Sequence, residues 1–370
     1  MTNEDDQTGV GEGPTRPPDG PAPDRGSPPA WAGRYDARDF PPFSYTADGI
    51  VFSFGEGAHL RVVTVERDAP DPFAGYRAWP GGFVAWEEDE DARATALERL
   101  RTLGLEEPAY LEALDTYDSF GRDPRQFAPH GARGVSKAFW GALDRQARDE
   151  VREGGRHART PRWDGVYGLL PWEDRRHAAA QQPHPMLKPL LSLVPESAVL
   201  SEERVVNAFG SPWNEERAGE RIRILLDARV LPEAVRDRWG RLPTGWKPPI
   251  ASDLGDQMAF DHRLMLADAL ARLRGKIKYL PATLRVLVGS TFTLPDLFDV
   301  VSAVSGRPLD KPNFWRMLTR SKSAQLVEPT GRKADASVRP GPPATLYRFI
   351  PEVHHLRLDP SLRWPFAGPD

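Results

Sequence analysis

The feature that most constrains this chain is the order of elements in its last third. Asp261 can N-cap a helix whose apolar stripe runs through Leu264–Leu273, because its carboxylate can accept a free first-turn N–H. Thr293 caps a second helix, Leu294–Val304, which ends at Gly306. Asp310 caps a third, which runs through Leu318. Then come Gln325–Pro329, a polar Gly/Pro-rich loop from Thr330 to Pro343, and a strand, Ala344–Phe349. Helix, helix, helix, strand, basic loop, strand is the order of a winged helix-turn-helix, which places such a domain at 257–350.

Charge supports this placement. The 370 residues carry a formal charge of -4, yet between 256 and 350 the basic residues outnumber the acidic ones. Neutralising nucleic-acid phosphates needs a local basic patch, whatever the net charge. In a helix-turn-helix the second helix of the pair enters the major groove. Here that helix is Lys311–Arg320, with Phe314 and Leu318 facing inward. Lys311, Asn313, Arg316 and Arg320 are the candidate DNA-reading side chains, since Arg and Asn match guanine and adenine edges bidentately. Lys322 can reach phosphate, and Arg332, Lys333 and Arg339 populate the wing. The expected partner is a double-stranded DNA operator.

Upstream the pattern is mixed. Residues 1–38 are rich in Pro, Gly and Asp and poor in aliphatics, the composition of a disordered tail. Gly49–Phe54 and Leu60–Val65, β-branched and aromatic runs around Gly55-Glu56-Gly57, read as a hairpin. Tyr76–Trp79 leads to a Pro80-Gly81-Gly82-Phe83-Val84 turn, and the acidic run Glu87–Asp91 enters a helix over 92–103. Ala92, Ala96, Leu97, Leu100 and Leu103 recur at helical spacing there, and Gly104 closes the helix. Further strands are expected at Ala113–Tyr117, Val135–Leu143 and Gly165–Leu170, making 39–177 an α+β unit. Residues 178–256 read as a helical insertion, with helices at Leu187–Val194, Ile222–Ala228 and Leu231–Trp239; 351–370 form a tail.

The absence of cysteine excludes disulfides, thiolate nucleophiles and Cys-ligated metals. No histidine pairs with another ligand at metal spacing, so no metal or cofactor is expected. No run of apolar residues spans a membrane, and the opening Met1-Thr2-Asn3-Glu4-Asp5-Asp6 lacks the pattern of a signal peptide; a cytoplasmic chain is expected.

A Gly-Gly turn, an acidic entry and a helix closed by Gly104-Leu105 resemble the Nudix box. The wider chain resembles the Nudix-related transcriptional regulators, which fuse a Nudix-like domain to a winged helix-turn-helix. The likeness covers roughly 42–175 and 257–350. It rests on Pro80–Val84, Arg122-Asp123-Pro124-Arg125, Phe260-Asp261-His262, Gly306–Lys311 with Asn313-Phe314, Leu326–Gly331 and Leu346–Phe349. It implies an α+β fold: a Nudix-like α/β/α sandwich, a helical insertion and a C-terminal winged helix-turn-helix.

Hydrolytic members of the family place Arg-Glu-x-x-Glu-Glu on the helix, carboxylates that share one face and hold a divalent metal. The matching residues here are Leu97, Glu98, Arg101 and Thr102, so Glu98 is a remnant and Arg101 sets a fixed cation beside the metal position. The resemblance therefore implies a sensor of ADP-ribose or a related NAD-derived nucleotide, with Arg67, Arg77, Trp79, Gly81, Gly82, Arg122 and Arg125 as candidate contacts. It also implies a homodimer, as symmetric operators require. A metal-dependent Nudix hydrolase acting on ADP-ribose or a nucleoside-diphosphate sugar is the alternative.

Overall fold

The computed structural model describes residues 42–55, 59–85, 91–143, 161–179, 182–279, 282–320, 327–334 and 343–350. Contacts divide the chain at Pro42, and the sheet, the helices and the wing all belong to the unit that begins at Phe43.

The expected hairpin forms from β1 (Phe43–Gly55) and β2 (His59–Glu66), antiparallel with Phe52 opposite Val62. β1 is buried on both faces from Ala47 to Gly55, as befits a central strand. Its first half leaves β2 and pairs instead with β4 (Gly81–Phe83), with Asp48 opposite Gly81. The Gly-Gly segment is thus a short strand. β3 (Arg77–Ala78) edges β2. On the other side β1 runs parallel to β6 (Arg133–Ala142), and β6 pairs antiparallel with β5 (Tyr110–Tyr117). The order is β3-β2-β1-β6-β5, with β7 (Pro161–Gly165) also on β2.

Helices cover both faces of this sheet. α1 (Ala92–Thr102) is capped by Asp91, whose Oδ1 accepts from the Ala94 N–H at 2.7 Å. Such a cap contributes about 1 kcal/mol. Its Ala92 and Ala96 pack with Ala47 and Phe139, while Leu100 meets Val51 and Val63. The opposite face carries Ile50, Phe52, Phe54, Val62 and Trp140 into a core shared with the helices that follow.

Strand pairing ends at Gly165, and Val166–Leu169 forms a single helical turn, α2, before Pro171; the strand expected over Gly165–Leu170 is therefore displaced upstream. α3 (Leu187–Leu193) and α5 (Ala218–Asp227) match expectation. Between them lies α4 (Glu202–Phe209), whose signal was legible: a Ser201 cap, two acidic residues, then Val205, Ala208 and Phe209 on one side. Leu231–Trp239 is not a helix. It holds one 3-10 turn, Pro232–Ala234, between a left-handed Arg229 (φ 53°) and an irregular stretch in which Arg236 donates to the Met258 carbonyl.

α6 (His262–Tyr279) packs on α5 and on the sheet, and α7 (Ala282–Val288) was not anticipated. α8 (Leu294–Ser305) carries a reciprocal capping box between Thr293 and Asp296, and ends at a left-handed Gly306. α9 (Lys311–Arg320) is entered through Asp310, whose Oδ1 accepts from the Asn313 N–H at 2.6 Å. The wing is β8 (Val327–Lys333) antiparallel to β9 (Thr345–Phe349), with Phe292 bridging to Tyr347. The outcome is a mixed α+β fold. Among the described residues no helix is long and apolar enough to cross a membrane.

Candidate functional site: an arginine-ringed recess joined to a winged helix

A recess of about 90 Å³ opens where β1 turns from β2 to β4. It is lined by Asp48, Arg67, Trp79, Gly81, Gly82, Phe83, Arg122, Asp123, Arg125, Phe260 and His262, among others. Six of the seven residues expected to contact ligand are brought together here: Arg67, Trp79, Gly81, Gly82, Arg122 and Arg125. Arg77 is the exception. Its Nε donates to Thr64 Oγ1 at 2.8 Å and faces Asp164 at 3.2 Å, because β2 and β7 present those acceptors beside it.

Close packing requires glycine at 81, whereas Gly82 lies under the movable end of the Arg99 side chain. A Cβ on Gly81 would lie 2.1 Å from Asp48 Oδ1 and 2.7 Å from the Ala47 carbonyl; one on Gly82 would lie 2.5 Å from Arg99 Nε.

Phe260 stands at the centre of the cationic ring. The Arg67 guanidinium lies 4.8 Å from its ring centre, and those of Arg122 and Arg125 lie 5.9 Å away. Each arginine also meets a carboxylate: Arg67 meets Asp71 at 3.1 Å, Arg122 meets Asp261 at 2.6 Å and Arg125 meets Asp123 at 2.6 Å. Asp48 is buried and accepts from Ser136 Oγ; burial pushes its carboxyl above the ordinary value, with Ser136 and Arg122 opposing. Convergent guanidiniums over an apolar wall suit a phosphorylated ligand with a flat ring.

The recess is tied to α6 by Trp79. Its backbone N–H donates to His262 Nδ1 at 3.0 Å and its indole Nε1 donates to the His262 carbonyl at 3.1 Å. Asp261 immediately precedes the same helix, and its carboxylate accepts from Arg122 Nε and Nη2. Asp48, Asp261, Phe260 and His262 were not among the expected contacts, although the Phe260–His262 tract was part of the family likeness.

The helix face of the Nudix-box remnant does not gather carboxylates. Glu98 is half exposed and lies 3.8 Å from Arg101, which also meets Glu107 at 3.2 Å. Arg99 is the side chain aimed at Gly82. Among the described residues no group of three His, Asp or Glu could hold a metal. Of the acidic entry Glu87–Asp91, Asp91 caps α1 and the rest lies outside the described residues.

α6 in turn reaches the winged helix through a buried ion network. Glu173, Arg221 and Arg274 are all fully buried. Glu173 Oε1 accepts from Arg221 Nε at 2.6 Å, and Oε2 accepts from Arg274 Nη1 at 2.5 Å. Burial alone would raise the Glu173 carboxyl, but the two guanidiniums outweigh it and hold it at about 2. Arg274 Nε donates to the Val304 carbonyl at 2.9 Å and Tyr167 Oη to that of Ala303 at 2.5 Å, satisfying the open C-terminal end of α8.

On α9, Phe314 and Leu318 are buried as expected. Lys311 and Arg316 are exposed, Asn313 is half-buried, and Asn313 Oδ1 accepts from Arg316 Nη2 at 2.6 Å. Trp315 packs against Phe298 and Phe314. Arg332 and Lys333 are exposed on β8. Arg320 ends α9; Lys322 and Arg339 lie outside the described residues.

Residues 286–349 match the NrtR DNA-binding winged helix domain. The chain is also 22% identical over 337 residues to the ADPR responsive transcriptional repressor NtrR of Acinetobacter baylyi, covering 91% of this chain and 94% of that one. The C-terminal domain is a DNA-binding winged helix of the NrtR type. Solved structures similar to this chain include Shewanella oneidensis NrtR complexed with a 27mer DNA (TM-score 0.49, 20% identity, 85% of this chain and 96% of that one). Another is the Nudix domain of the same protein with ADP ribose (TM-score 0.32, 22% identity, 38% and 84%).

Proposed function

We propose that this chain is a ligand-responsive DNA-binding transcriptional regulator whose sensor is the arginine-ringed recess. The carrying observation is that the recess is hydrogen-bonded through Trp79 and His262 to the helix whose Arg274 holds the end of α8. ADP-ribose or a related NAD-derived nucleotide is the effector. Its phosphates engage Arg67, Arg122 and Arg125, and the glycine backbone of Gly81 and Gly82 approaches it closely. Trp79 transmits its presence more than it touches it, since the indole is already committed to His262.

Lys311, Asn313, Arg316 and Arg320 on α9 read the major groove, with Arg332, Lys333, Lys322 and Arg339 on phosphate. The chain acts as a cytoplasmic homodimer on a two-fold operator. Ligand favours one placement of α6, and that placement changes how well two winged helices meet two half-sites. The similarity to an ADPR responsive repressor over nearly the whole chain supports this reading. Hydrolysis is disfavoured by Arg101, the cation that α1 carries where a metal would need a carboxylate.

The test is to select tight-binding fragments from genomic DNA and titrate one with ADP-ribose. Specific binding that shifts at least tenfold with ligand is expected. Specific binding that ADP-ribose leaves unchanged would remove the sensing half.

A further inference from the structure

Beyond the sensing recess lies a second one of about 280 Å³. Arg122 and Phe260 line both, so these two side chains form the partition between them. The far wall is contributed by α5 and the segment after it, through Ile222, Leu226, Leu231 and Arg236, and by Leu264 of α6. Phe73 and Phe120 complete an aromatic rim.

Three observations mark this space as more than a packing gap. First, Phe73 (φ 61°) and Phe260 (φ 50°) both hold the left-handed conformation that bulky residues avoid, and their rings meet edge-on at 4.9 Å. Second, Arg236 Nε is buried without a hydrogen-bond partner, while the guanidinium lies against Phe73 and Tyr76. Third, the sensing recess alone is too small for its ligand: about 90 Å³ falls well short of the roughly 300–1,000 Å³ that bury a small molecule.

We propose that the larger recess is a second subsite of the sensor, taking the flat aromatic ring of the same phosphorylated ligand, with Phe260 as the movable partition. This rests on the reading of the arginine recess as an anion site. The phosphates stay with Arg67, Arg122 and Arg125. The ring slides between Phe73 and Phe120 over Ile222 and Leu226, and Arg236 Nε donates to a ring acceptor. Phe260 leaves its left-handed conformation to join the two spaces. Because Phe260 is two residues from His262, that movement reaches the first turn of α6 directly.

Calorimetric titration of the full chain tests this with two probes, ADP-ribose and inorganic pyrophosphate. Leu226→Trp fills the second recess, and Phe120→Ala removes a wall residue that is 78% exposed and therefore costs little in folding. Leu226→Trp is expected to weaken ADP-ribose at least tenfold and Phe120→Ala about threefold to fivefold, with pyrophosphate unchanged in both. ADP-ribose binding at wild-type strength in folded Leu226→Trp would overturn the subsite. If that variant does not fold, unchanged binding in Phe120→Ala overturns it. A wild-type chain that binds pyrophosphate but not ADP-ribose keeps the anion recess and loses the second subsite. Binding of neither probe removes the anion recess, and the subsite with it.

Discussion

Glu173→Gln isolates the contact on which the join between sensor and winged helix depends. Glu173, Arg221 and Arg274 have no exposed side-chain surface, so the carboxylate is the counter-ion of two buried guanidiniums. Replacing it with a neutral amide keeps the volume but leaves those cations uncompensated, a change that costs about 3–5 kcal/mol in buried pairs. The depressed Glu173 carboxyl points the same way. The Glu173 carboxyl drops from 4.5 to about 2 on folding, and at about 1.4 kcal/mol per unit this is worth about 3 kcal/mol. A depressed carboxyl stabilises above its unfolded value and loses that contribution as pH falls toward its folded value. The stability gap between wild type and variant should therefore be constant above pH 5 and narrow between pH 4.5 and pH 2. Urea denaturation at pH 7 and at pH 3.5, followed by far-ultraviolet circular dichroism, measures both. A loss under 1 kcal/mol at pH 7, or a gap unchanged at pH 3.5, would refute the ion-network argument.

Four further outcomes are expected. Asp48→Asn raises Tm at pH 7 by calorimetry and gains less at pH 4, because a buried carboxyl raised above its ordinary value destabilises the fold once the solution pulls its proton away. Thr293→Ala removes the hydroxyl that accepts the Asp296 N–H in the α8 capping box and costs about 1 kcal/mol, with faster amide exchange confined to the first turn. Gly81→Ala drives a methyl into the Asp48 carboxylate and the Ala47 carbonyl, so ADP-ribose binding is lost while DNA binding at low salt persists. Lys333→Ala weakens all DNA sequences alike and lowers the slope of log affinity against log salt by about 1, as loss of one phosphate contact requires.

Where the reading of the sequence succeeded, the signal was local. Asp91, Thr293 and Asp310 announce helix starts because a capping side chain bonds an N–H two or three residues away. The β1–β2 hairpin is legible from β-branched and aromatic runs on either side of a Gly-rich stretch. The failures were places where a distant partner competes with local preference. The apolar run Gly165–Leu170 resembles a strand, but β2 has partners for β7 only as far as Gly165, and Pro171 follows at once. Leu231–Trp239 has helical spacing, yet its Arg236 is drawn to the Met258 carbonyl and to the rings of Phe73 and Tyr76. Arg77 belonged to the expected contacts by its place before the Gly-Gly turn, and was diverted by Thr64 and Asp164.

The sequence by itself determined the hairpin, the capped helices, the element order of the winged helix and the absence of thiol chemistry. These follow from properties a residue carries within a few positions of itself. Only the tertiary structure decided which groups form the site. Trp79 and His262 are 183 residues apart, Arg122 and Asp261 139, and Glu173 and Arg274 101. Charge pairing and burial are set by what the fold brings within a few ångströms. No periodicity in the sequence could show that Glu173 is buried between two arginines, or that Phe260 separates two recesses.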